Sequence, residues 1–240
     1  LTDPGFWKTE SNVRSYNWEF YNLFTGFGNG TATNGDFYFS AFSDDQATSG
    51  FTQYPQTTAA SNGAWTFGYI RKANMMLESI DQVDMPDEAK NHWKGIAHFF
   101  RAFQYFSLVQ TFGDVPWFSH SMDIADSTEI YKPRDSHQLV MDSVLADLDF
   151  AIANLRQADL PNTVNKDVAL AFKARVCLFE GTYRKYHTEL NMPDADKYLQ
   201  AAKDASAAIM ADAYSLSPNF LTAYNSDKLG NDANEILIYK

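Results

Sequence analysis

Between Asp87 and Thr111 the chain runs through Ile96, Phe99, Phe100, Phe103, Tyr105, Phe106, Leu108 and Val109, which leaves a helix no polar side. Such a helix belongs at the centre of a fold, because any exposed face would leave large apolar rings in water. Pro86 sits at a first-turn position, where its missing N–H costs nothing. The run ends at Phe112-Gly113-Asp114-Val115-Pro116. There the glycine supplies a left-handed terminal residue and the proline prevents the helix from resuming.

Shorter amphipathic stretches surround this rod. Val13, Tyr16, Phe20 and Phe24 share one face of a first helix, and Tyr69, Ala73, Met76, Leu77 and Ile80 mark a second that ends near Gln82. Val140, Val144, Leu148, Ile152 and Leu155 define a fourth, with Asp135 placed to cap its start and Gln138 to reach back. Val168, Phe172, Val176, Phe179 and Tyr183 define a fifth, and Tyr198, Ala202, Ala205 and Ile209 a sixth that starts after Pro193. The expected fold is all-α, with consecutive antiparallel hairpins, 60–82 with 87–111 and 136–155 with 166–184. Small residues such as Ala171 and Ala174 permit close helix contact. This is the pattern of degenerate tetratricopeptide-like hairpins, without the strict period of that repeat.

Residues 26–62 break the pattern. They hold Gly26-Phe27-Gly28-Asn29-Gly30, Phe37-Tyr38-Phe39, Ser43-Asp44-Asp45-Gln46, Phe51 and Tyr54. Helix-free connections of this length are usually functional or disordered, and the aromatic content argues for order. The expectation is an irregular aromatic-rich loop region, with a short strand at 36–42, followed by hairpins over 63–240. Glu235-Ile236-Leu237-Ile238-Tyr239-Lys240 reads as a strand. Leu1 at one end and this strand at the other read as cuts in a longer chain.

Composition narrows function. With 19 basic and 30 acidic residues the formal charge is −11. Phosphate backbones and anionic membranes repel such a chain, so nucleic acid is not an expected partner. One cysteine, Cys177, excludes an internal disulfide and a multi-cysteine zinc site. No run approaches the ~20 apolar residues that span a bilayer. His92, His98, His120, His137 and His187 are scattered without metal-ligand spacing, and no metal or cofactor is expected. The glycines at 26–30 lack the Lys-Ser/Thr of a phosphate loop, and no serine nucleophile elbow occurs. Asp44 and Asp45, as neighbours on a strand, would face opposite ways and make a poor glycosidase pair. Arg101, on an otherwise apolar helix, needs a partner, for which Asp114 is the candidate.

The run Arg101-Ala102-Phe103-Gln104-Tyr105-Phe106-Ser107-Leu108-Val109-Gln110-Thr111-Phe112-Gly113-Asp114-Val115-Pro116 resembles the hallmark of the SusD/RagB family. Tyr131-Lys132-Pro133-Arg134-Asp135-Ser136, Asp147-Leu148, the stretch from Asn165 to Gly181, Tyr214-Ser215-Leu216 and Asn234-Glu235-Ile236-Leu237 match further markers in order. Ser43-Asp44-Asp45 and Trp65…Tyr69-Ile70…Ala73-Asn74 fit upstream. The resemblance covers most of this chain and the N-terminal half of the family's length. It implies a surface-exposed lipoprotein of the outer membrane, held by a lipid anchor absent from this chain. It also implies a protein that binds an oligosaccharide without catalysis and delivers it to a SusC-like TonB-dependent transporter.

Sugar binding needs aromatic faces for the apolar sides of rings and planar polar groups for hydroxyls. Residues 36–65 hold both, and the candidates are Asp44, Asp45, Gln46, Tyr54, Asn62 and Trp65. In the resembling family the N-terminal half lends acidic and aromatic residues from the same region. Two alternatives stay open: an all-α glycoside hydrolase or lyase, which needs two carboxylates about 5–10 Å apart in a cleft, and a peptide-binding helical scaffold.

Overall fold

The computed structural model describes residues 5–24, 63–123, 125–212, 214–217, 219 and 235–238. Among them the fold is all-α. Helix α1 (Glu10–Asn17) is capped by Thr9, whose side chain accepts the Asn12 N–H, and continues as a 3-10 run over Trp18–Leu23. Helix α2 spans Gly68–Ser79 and tightens into a 3-10 turn at Ile80–Gln82. Helix α3 spans Asp87–Phe112, and α4 is a single turn at Ser127–Ile130. Helices α5 (His137–Asn154), α6 (Lys166–Tyr186) and α7 (Ala195–Met210) complete the order.

The apolar rod lies where its sequence requires. Trp93, Ile96, Phe99, Phe100, Tyr105 and Leu108 of α3 are fully buried. Helices α1 and α2 pack on one side of α3 and α5 on another, while α5 meets α6 and α6 meets α7. The consecutive pairs α2/α3 and α5/α6 are present, and the array is extended by the contacts of α3 with α5 and of α6 with α7. A chain of rings ties it together: Phe20 stacks on Phe100 at 5.2 Å, Phe103 meets Phe172 at 5.0 Å, and Phe106 meets Phe179 at 5.3 Å. The rod ends where expected, although ψ of −113° puts Gly113 outside the left-handed helical region. Gly113 has φ +71° and Pro116 follows.

Two helix contacts leave little room for a side chain. A Cβ on Gly95 would meet Leu155 Cγ at 3.2 Å, between α3 and the end of α5. A Cβ on Gly181 would meet Leu199 at 2.8 Å, between α6 and α7. Between α5, α6 and α7 lies a small second core of Leu145, Cys177, Tyr198 and Ala202. Cys177 is fully buried, and burial pushes its thiol up to about 12.

Three expectations are corrected. Arg101 does not pair with Asp114. Its guanidinium binds Asp147 of α5 and Asn74 of α2, while Asp114 Oδ1 accepts the His137 N–H at the start of α5. Asp135 does not cap α5. Ser136 does, accepting the Leu139 N–H, because Asp135 is drawn off to the Trp117 N–H at 2.7 Å and to Lys132 at 2.8 Å. No strand forms at 235–238, and pairing among the described residues is limited to lone bridges, Thr9 with Asp84 and Val115 with Asp135. The proposed strand at 36–42 lies outside the described residues.

Candidate functional site

Five of the candidates, Asp44, Asp45, Gln46, Tyr54 and Asn62, lie outside the described residues. Trp65 is placed. It stands just before α2, with 36% of its surface exposed. Its ring meets Phe67 at 5.4 Å and Phe112 at 4.9 Å, both nearly perpendicular. The Arg134 guanidinium lies 4.8 Å from the ring centre, within cation–π range.

The local sequence explains this ledge. The last carbonyls of α3 have no helical partner. Arg134 Nη1 donates to two carbonyls at this terminus, Phe112 O and Asp114 O, both at 3.3 Å, and so fixes its charge at the negative end of the helix dipole. Held there, it covers Trp65. The turn behind is locked from within. Tyr105 OH accepts the Phe118 N–H at 2.6 Å, and Lys132 Nζ donates to Trp117 O at 2.8 Å. Asn74 Nδ2 donates to Phe118 O and His120 O, both at 2.9 Å. Phe118 is buried and packs edge-on against Phe67 at 5.5 Å.

The result is a rigid shelf at the C-terminal end of α3, with a half-exposed indole beside a cation. Indole and guanidinium suit the apolar and hydroxyl faces of a sugar ring respectively. Two nearby carboxylates among the described residues are committed to structure. Asp114 holds the α5 N-terminus. Burial opposes ionisation of Asp135, but hydrogen bonds from Lys132 and from the Trp117 N–H outweigh it and lower its pKa. A carboxyl held ionised in this way is a poor general acid, which needs the opposite shift.

Sequence reading missed Arg134 as a partner of the site, although it stood in the Tyr131–Ser136 segment. Its contact with Trp65 joins residues far apart in the chain, and no local pattern announces it.

Residues 14–178 match the SusD-like family described as starch-binding and associating with the outer membrane. Among curated relatives, SusD-like protein P38 of Formosa agariphila is 34% identical over 124 residues, covering 52% of this chain and 24% of that protein. SusD-like protein P2 of the same organism is 27% identical over 150 residues, covering 59% of this chain and 30% of that protein. The matched stretch thus spans under a third of the length of either. Among solved structures, a SusD-like carbohydrate-binding protein of Bacteroides fragilis superposes with a TM-score of 0.67 at 19% identity, over 91% of this chain and 44% of that one. A laminarin-binding SusD-like protein superposes with a TM-score of 0.65 at 17% identity, over 92% of this chain and 49% of that one. At these identities the structural likeness speaks to the fold.

Proposed function

The chain belongs to the SusD-like family, and from that premise we propose that it is part of a non-catalytic surface protein that captures oligosaccharides and delivers them to a SusC-like TonB-dependent transporter. The observation that carries this reading is the Trp65 ring, exposed on a rigid shelf with Arg134 beside it. Asp44, Asp45, Gln46, Tyr54 and Asn62, which precede Trp65 closely in sequence, complete the proposed site. The commitment of Asp114 and Asp135 to structural hydrogen bonds supports binding without hydrolysis. The family description supports an outer-membrane setting, to which we add a surface-exposed lipoprotein anchored by lipid. No helix among the described residues is long and apolar enough to cross a membrane.

A glycan array with the full-length protein, followed by product analysis, tests the reading. We expect binding of an oligosaccharide class with no released sugar. Trp65→Ala should weaken that binding about tenfold or more, which corresponds to ~1.4 kcal/mol. Released product would favour the glycoside hydrolase or lyase reading. Capture of peptides in place of glycans would favour the peptide scaffold.

A further inference from the structure

A second polar recess lies at the other end of α3. Trp93 lines it and Phe112 belongs to the shelf, so the two places are separated by roughly 30 Å at 1.5 Å per residue. The recess forms where α1 and the following 3-10 run cross the first half of α3 and the 155–164 connection. The space it encloses is about 10 Å³, room for about one water-sized group. That is far below the ~300–1,000 Å³ that surrounds drug-sized ligands, so it admits one hydroxyl-sized group and leaves the rest of any molecule at the mouth.

Two of its lining side chains are polar, buried and incomplete. Asn17 is 3% exposed and His92 is 1% exposed. Asn17 Oδ1 and His92 Nε2 have no hydrogen-bond partner among the described residues. Their chemistry is complementary. His92 Nδ1 accepts the Arg156 N–H at 3.2 Å, so the neutral ring carries its proton on Nε2 and offers a donor. Asn17 Oδ1 offers an acceptor. A buried donor and a buried acceptor are each costly to leave unmade, so both atoms call for a partner. A group that accepts and donates at once, a hydroxyl or a water, satisfies both.

The mouth suits the rest of such a molecule. Trp18 lines the recess and is 45% exposed, with Tyr21 at 5.4 Å beneath it. Arg14 and Asp159 also line it, joined at 2.9 Å and 3.4 Å. An indole platform, a fixed ion pair and a buried donor–acceptor pair fit a compact polyhydroxylated molecule. We propose that this recess is a second binding site, taking a hydroxyl of a monosaccharide or other small polyol between His92 Nε2 and Asn17 Oδ1, with Trp18 as its platform. The site stands whether or not the Trp65 shelf binds glycan.

The test is saturation-transfer NMR on the full-length protein with D-glucose and with glycerol at millimolar concentration. Trp18→Ala removes an exposed ring, and Asn17→Leu replaces a buried amide whose Oδ1 is unpaired with an apolar group of similar size; thermal melts confirm that both fold. The wild type should show transfer from at least one probe. Either variant should reduce the signal at least fivefold, while Trp65→Ala leaves part of the signal in place. No transfer in the wild type, or transfer that survives both recess variants, overturns the proposal. So does a high-resolution structure of probe-soaked crystals with only a water between His92 and Asn17.

Discussion

Arg101 grips Asp147 through two parallel hydrogen bonds, Nε to Oδ2 and Nη2 to Oδ1, each 2.7 Å long. Both side chains are almost wholly buried, and they join α3 to α5. Arg101 Nη1 also donates to Asn74 Oδ1 at 2.7 Å, which brings in α2. Removing one partner strands a charge in the core. Asp147→Leu or Arg101→Leu should each cost ~3–5 kcal/mol in urea unfolding, and the double variant should recover much of that loss. Arg101→Lys should not rescue, because an ammonium cannot make the paired contact. Single variants with unchanged stability would show the pair to be incidental.

Gly181 lets α7 lie against α6. With an added methyl 2.8 Å from Leu199, Gly181→Ala should destabilise by about 1–3 kcal/mol despite its better helix propensity. Shortening the opposing side chain, as in Gly181→Ala/Leu199→Ala, should relieve part of the clash, since the Leu199 backbone nitrogen stays 3.0 Å from the added carbon. A Gly181→Ala protein at least as stable as wild type would mean that α7 shifts freely on α6.

The central rod was legible because the apolar residues from Ile96 to Val109 fall on nearly every side of one helix, with a glycine and a proline to stop it. The interactions that fix it were not. Asp114 lay 13 residues from Arg101 and Asp147 lay 46 away. Distance in sequence favoured the wrong one, since only packing of α5 on α3 brings Asp147 opposite. Asp135 and Ser136 are both good capping residues. The choice between them was made by the Trp117 N–H and Lys132, which claim Asp135 from outside the helix. The run 235–240 reads as a strand, but a strand needs a partner to form a ladder, and 235–238 form none. Trp65 stood out as an aromatic beside a loop, whereas the guanidinium that covers it arrives from beyond α3. The unpaired atoms of Asn17 and His92 carry no sequence signal at all.

Phe100 and Phe103 separate the centre of the rod from its flank. Phe100 is fully buried and Phe103 only partly so. Phe100→Ala should cost ~3–5 kcal/mol as a cavity variant, and Phe103→Ala measurably less. Equal losses in denaturant unfolding, or a larger loss at Phe103, would contradict the orientation of α3.

Cys177 should be inert in the folded protein. Its thiol is fully buried and pushed up to about 12 by that burial, so little thiolate exists at neutral pH. Iodoacetamide should label it only after unfolding in urea, as read by mass spectrometry. Rapid labelling in buffer would show that α7 opens readily from α6.

His92 makes stability depend on pH. Burial, helped by the nearby Arg156 charge, lowers its pKa from the ordinary 6.5 to about 4. Above pH 6.5 the ring is neutral whether the chain is folded or unfolded, and its contribution is fully present. As pH falls from there, the unfolded chain takes up a proton that the folded chain refuses. Stability is therefore lost progressively until about pH 4, by an amount on the order of 3 kcal/mol. An NMR titration of the imidazole C2 proton should show its midpoint near 4 in the folded protein. In His92→Gln, which has no proton to gain, stability should fall less steeply over the same interval. A midpoint at the ordinary histidine value would mean that water or solvent counter-charge reaches the ring, and that the recess around Asn17 and His92 is far more open than its burial implies.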